Sequence, residues 1–152
     1  MNLKNIKPYH LFFTVAFLIL LIGIKSQYEG TNFSINIHDT YYVIANFHLA
    51  IIFFAFYLIQ GFGYWIVQKL IKKKLVRRLT IFHSFILIGS FVYYWIFVGY
   101  YELLADSPHP LFDDYHEMTN ITLTILALLI FIIAVPTFII NLLIGIFRKA
   151  DR

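Results

Sequence analysis

The sequence predicts an all-α, polytopic membrane protein, a bundle of four transmembrane helices, on three observations. Hydrophobic residues fill 61% of its 152 positions and charged ones 13%, giving a mean hydropathy of +0.77 that a small water-soluble globule cannot carry. Four apolar stretches, roughly 9–25, 41–69, 79–102 and 119–147, reach or approach the roughly 20 residues that span about 30 Å of hydrocarbon. Acids and bases also sort to opposite ends of these stretches. Inside lipid the backbone must satisfy its own hydrogen bonds, so each stretch is read as a helix and residues 1–152 as one membrane domain.

The first span, 9–25, follows Lys4 and Lys7, which resembles the start of a signal peptide; no small-residue cleavage site follows, and the segment is read as retained. The second, 41–69, opens after His38-Asp39-Thr40 and closes on Gly61-Phe62-Gly63-Tyr64-Trp65 and Lys69. The third, 79–102, follows Arg77-Arg78. The fourth, 119–147, contains Pro136, which lacks the N–H a helix needs and should kink the span or free a carbonyl. Asn141, below it, is a polar group expected to find a partner on another helix. Tyr41-Tyr42, Tyr93 to Trp95 and Tyr100-Tyr101 fit the aromatic belts of a membrane boundary.

With four spans, Lys4, Lys7, Lys69, Lys72, Lys73, Lys74, Arg77, Arg78, Arg148, Lys149 and Arg152 flank one face. Glu29, Asp39, Glu102, Asp106, Asp113, Asp114 and Glu117 flank the other, where Lys25 is the one base. The basic face is expected to be cytoplasmic, which puts both termini inside and the chain in the inner (cytoplasmic) membrane. The net charge of +4 is then topological, and nucleic acid is not an expected partner of the Lys69–Arg78 loop, whose basic residues orientation and anionic lipid explain. Cysteine is absent, which excludes disulfides and thiolate metal sites. Neither a nucleophile elbow, a P-loop nor a zinc-protease spacing occurs, so hydrolase chemistry has no foothold.

Ile37-His38-Asp39-Thr40-Tyr41-Tyr42-Val43-Ile44-Ala45-Asn46-Phe47-His48 is the most informative run. It resembles the haem-bearing segment of haem-copper (cytochrome c or quinol) oxidase subunit I, which reads His-Asp-Thr-Tyr-Tyr-Val-Val-Ala-His-Phe-His and whose last two histidines hold two different haems. Here the first of that pair is Asn46. The resemblance continues through Lys7-Pro8 to Ile24 and Ser34 to Asp39, through Gly61 to Trp65, and through Ile81-Phe82-His83-Ser84-Phe85-Ile86-Leu87-Ile88-Gly89. It covers most of the chain, strongly at 37–48 and weakly elsewhere, and implies the fold of the last four helices of that subunit.

Residues 46 and 48 stand about 200° apart around a helix, so one helix could hold two haems, with Phe47 projecting between them. Only His48 keeps a nitrogen able to ligate haem iron. Counted from residue 41 it lies about 10 Å inside its span at roughly 1.5 Å per residue. Two readings stand for it: an axial ligand of a low-spin haem completed by another chain, or a neutral imidazole hydrogen-bonded within the bundle. The missing partner favours the second. So does the loop Leu104 to Asp114, which carries acids where the family has an arginine pair for the haem propionates.

The resemblance also implies a Mg or Mn site at His38 and Asp39, shared with another subunit. Against it stands a plainer reading, in which His38-Asp39-Thr40 caps the second span. His10 and His83 could form a bis-histidine haem site near the basic face, and His109 and His116 stand among acids that could hold zinc or copper; both are weaker signals. The family's copper ligands and second low-spin haem ligand lie in earlier helices, so oxygen reduction by this chain alone is not expected. The expected role is a non-catalytic accessory or structural component of aerobic respiratory electron transfer, with membrane lipid and either other oxidase subunits or a second copy as partners. The alternatives are a low-spin haem carrier built on His48 and a cofactor-free assembly or stability factor.

Overall fold

The computed structural model describes residues 7–30, 32–37, 40–105 and 115–148. Helix α1 runs Pro8–Glu29, strands β1 and β2 run Asn32–Ile37 and Thr40–Ala45, and α2 runs Asn46–Trp65, prolonged by a π-helical turn, Ile66–Leu70. Then come α3 (Arg77–Ala105), α4 (Tyr115–Leu128), a second π-helical turn (Leu129–Ala134) and α5 (Val135–Phe147). Among the described residues four helices are long and apolar enough to cross a membrane: Pro8–Glu29, Asn46–Leu70, Arg77–Phe97 and Ile121–Phe147. The chain is thus a helical, four-span membrane protein, as its hydropathy predicts.

Local chemistry sets the ends of α1. Pro8 takes the first helical position, where its missing N–H costs nothing. The Lys7 backbone N–H donates to His10 Nδ1 at 3.3 Å, so this histidine ties down the helix start. Gly30 closes the helix at φ 64°, in the left-handed region where a side chain would be strained.

Between α1 and α2 the structure departs from the sequence reading. Residues 41–45, read as the beginning of the second span, belong instead to an antiparallel hairpin that pairs Asn32 with Ala45 and Ile37 with Thr40. Tyr41, Tyr42, Val43 and Ile44 are aromatic or β-branched, the types that favour strands, and a short apolar run looks the same at the start of a buried helix. Helix α2 therefore starts at Asn46 with Ala45 as its N-cap, and the capping proposed for His38-Asp39-Thr40 is not what begins it.

Two compact units divide the chain, residues 1–76 with 141–152, and residues 77–140. In the first, α1 and α2 pack antiparallel along a line of small and aromatic residues. A Cβ on Gly23 would stand 2.4 Å from the Ala50 Cβ, and one on Gly61 would stand 2.7 Å from the Phe13 ring, so glycine is what allows both approaches. Phe17 meets Phe54 with ring centres 5.9 Å apart, Phe13 meets Phe62 at 5.2 Å, and the fully buried Phe12 lies between Tyr57 and Tyr64. In the second unit α3 packs on the π-helical turn before α5, with His83 and Leu87 fully buried. That turn immediately precedes Val135-Pro136: proline offers no N–H to the Ile132 carbonyl, and the ladder widens instead of continuing.

Candidate functional site

Helix α2 carries the residues of greatest functional interest, and its geometry sorts them by face. Phe47, Ala50, Phe54, Tyr57, Gly61 and Tyr64 recur at intervals of three and four and form the side turned to α1. Phe47 belongs to this row, with its Cδ2 3.9 Å from where a Gly23 Cβ would sit. It packs against α1 and does not project between two ligand positions.

His48, one residue on, is turned about 100° from that row. It is exposed and shares its face with the exposed Ile52, Ala55, Ile59 and Phe62. Its ring lies 6.1 Å from that of Phe47. Asn46 is half-buried, so the two positions do face different surroundings. The depth expected for His48 is corrected: because residues 40–45 are strand, it stands in the first turn of α2, about 3 Å along the axis from Asn46.

His38 and Asp39 lie outside the described residues, as do His109, Asp113 and Asp114. His10 stands at the opposite end of the α1–α2 pair, level with the last turns of α2, roughly 20 Å from His48 at about 1.5 Å per residue. His83 stacks on Phe138 with ring centres 5.2 Å apart, a packing role in the second unit. Among the described residues no three His, Cys, Asp or Glu side chains cluster in the manner of a metal site.

A polar network that sequence reasoning saw only in part closes the far end of α2. Asn141, fully buried on α5, accepts a hydrogen bond from the Val76 N–H at 3.0 Å through Oδ1. It is also hydrogen-bonded to the buried Tyr64. The asparagine was legible as a polar residue in an apolar run, whereas Val76 and Tyr64 carry no sequence signal of this role. Gln60 was missed altogether: it is buried in α2, and its Oε1 has no hydrogen-bond partner among the described residues.

This chain is similar to cytochrome c oxidase subunit 1 of Thermostichus vulcanus, with 34% identity over 132 residues, 83% of this chain and 23% of that one. It thus spans about a quarter of the length of the curated relative it matches. No family model matches it. No solved structure matches it either. The four membrane-length helices and this similarity together make the chain an oxidase subunit I-like membrane protein.

Proposed function

We propose that this chain is a non-catalytic accessory or structural component associated with aerobic respiratory electron transfer, held in the inner membrane with both termini cytoplasmic. One observation carries the reading. The chain is similar to part of an oxidase subunit, and His48, the one residue of the 46–48 pair with a nitrogen able to ligate iron, is exposed; with residues 37–48 read as the haem segment, Asn46 stands where the family has its other histidine. An asparagine amide is a poor iron ligand, and an outward imidazole offers one nitrogen where a low-spin haem takes two axial ligands. Within the unit that holds α2, His10 is too far away to be the second.

The exposure of His48 favours one second reading, a haem whose other axial ligand comes from another oxidase subunit or a second copy. Bound haem would supply one-electron transfer; His48 would hold it at the first turn of α2, with Phe47 fixing the helix against α1. The difference spectrum, reduced minus oxidised, of protein purified in mild detergent from haem-replete membranes separates the two readings. The accessory reading expects no low-spin α-band from the isolated chain and co-purification with respiratory subunits that survives His48→Ala. A stoichiometric α-band abolished by His48→Ala would replace it with the carrier. Co-purification confined to oxidase precursors, without the mature enzyme, would point to an assembly factor.

A further inference from the structure

The loop between the second and third spans is the most cationic segment of the chain, and part of it is anchored to α5. Residues 69–78 read Lys-Leu-Ile-Lys-Lys-Lys-Leu-Val-Arg-Arg, six bases and no acid. Orientation across a membrane accounts for bases at this position. It does not account for what the structure does with them.

Three anchors pin the part of this loop that belongs to the first unit. Lys73 donates from Nζ to the Ile146 carbonyl near the end of α5. Leu75 packs where a Gly145 Cβ would come within 2.9 Å of it, and the Val76 N–H is held by Asn141. Of the three consecutive lysines, Lys73 is thereby committed, while Lys72 and Lys74 on either side remain exposed. Lys72 adopts φ 56°, among the described residues the one non-glycine with positive φ. Glycine or asparagine would normally take such a position at a helix end, so the lysine keeps a charge there against a backbone preference.

Among the described residues these charges lack compensation. Among the described residues the one ion pair is Lys25 with Glu29, so Lys69, Lys72, Lys74 and Arg148 have no carboxylate to offset their mutual repulsion. Arg148 follows the Lys73 anchor on α5 by two residues. Directly before the lysines, Leu70 and Ile71 are exposed, Leu70 to 68%. Exposed apolar side chains beside unpaired cations match the boundary between lipid headgroups and acyl chains, and not a site for a soluble anion.

We propose that the Lys69–Lys74 segment is a preorganised binding site for the phosphate of an anionic phospholipid, with Lys72 and Lys74 as its contacts, Lys69 and Arg148 reinforcing the field, and Leu70 and Ile71 against the acyl chains. Preorganisation matters because a loop already fixed loses little freedom when the lipid binds. The site is independent of any role in electron transfer.

The test is lipid binding by the purified full chain, read by native mass spectrometry and by lipid-dependent thermal shift with phosphatidylglycerol, phosphatidylcholine and inorganic phosphate. The expected result is a preference for phosphatidylglycerol over phosphatidylcholine of about tenfold or more, at roughly fivefold for each contributing lysine. The Lys72→Gly/Lys74→Gln variant should lose most of that preference, and Lys72→Arg should keep it. Neither residue is an anchor, and glycine suits the backbone at 72, so the fold is expected to survive. Equal binding of both lipids by the wild type, or an undiminished preference in the double variant, would overturn the proposal. An equal shift from inorganic phosphate would replace the lipid with a soluble anion. Loss of preference in Lys72→Arg would show that the lysine acts on the loop's shape and also overturn it.

Discussion

At its first turn α2 touches α1 through Phe47 and the close approach of Ala50 to Gly23, and leaves His48 on an open face. At its last turns the surroundings close in: Phe12 and Phe13 lie over Gly61, Phe12 and Asn141 enclose Tyr64, and Val67 lies against Gly145. The difference teaches where each kind of work can be done. A closed, hydrogen-bonded end holds the fold on every side, while at the open end only the contact row with α1 resists change and the outward face can be altered cheaply and has surface left for another molecule. The run that most resembles an oxidase site ends there, at His48, where surface is left for another molecule.

Substitutions can break this contrast or sharpen it. The largest effect is expected from Gly23→Leu, since a side chain would have to enter space held by the rigid Ala50 Cβ; a loss of about 3 kcal/mol is expected. A reversible unfolding titration in mixed micelles measures it, and a near-neutral result would mean that α1 and α2 separate easily at this end. Asn141→Leu comes next. It removes the partner of both the Val76 N–H and Tyr64, at an expected cost of about 2 kcal/mol. The Val76 amide should then exchange with deuterium far faster, and unchanged protection there would show that the network does not hold the loop.

Lys72→Gly is expected to act in the opposite direction. Glycine accepts the left-handed conformation that lysine adopts at a cost, so stability should rise by about 1 kcal/mol, seen as a higher unfolding midpoint, while anionic-lipid preference falls. A fall in both would place Lys72 among the structural contacts. The smallest effect belongs to His48→Ala, an exposed position in the first turn, where a change within about 0.5 kcal/mol is expected. A large loss in the isolated chain would reveal that this face is packed after all, and the contrast between the two ends would disappear.

The helical class, the presence of four spans and their approximate places were legible from residue order alone. Hydropathy is a sum over neighbours in the chain, and lipid leaves a long apolar segment little choice but helix. The first span was read as 9–25, whereas local chemistry at Pro8 and Gly30 sets α1 at Pro8–Glu29. The similarity to an oxidase subunit could be read from residues 37–48 for the same reason, as a motif in consecutive positions.

Tertiary structure decided the rest. A run such as Tyr41 to Ala45 is apolar enough for either helix or strand, and its pairing with Asn32 to Ile37 settled the matter, because a strand's stability lies in the neighbour it bonds to. That pairing moved the start of α2 to Asn46 and brought His48 from the depth of a span to its first turn. The row of small residues facing α1 then determined that Phe47 packs inward and His48 looks out. In the same way, Asn141 announced by its polarity that it needed a partner, but only the folded chain brought Val76 and Tyr64 to it from positions far away in sequence. Residue type states what a side chain requires; which group meets that requirement depends on contacts across the chain that residue order does not display.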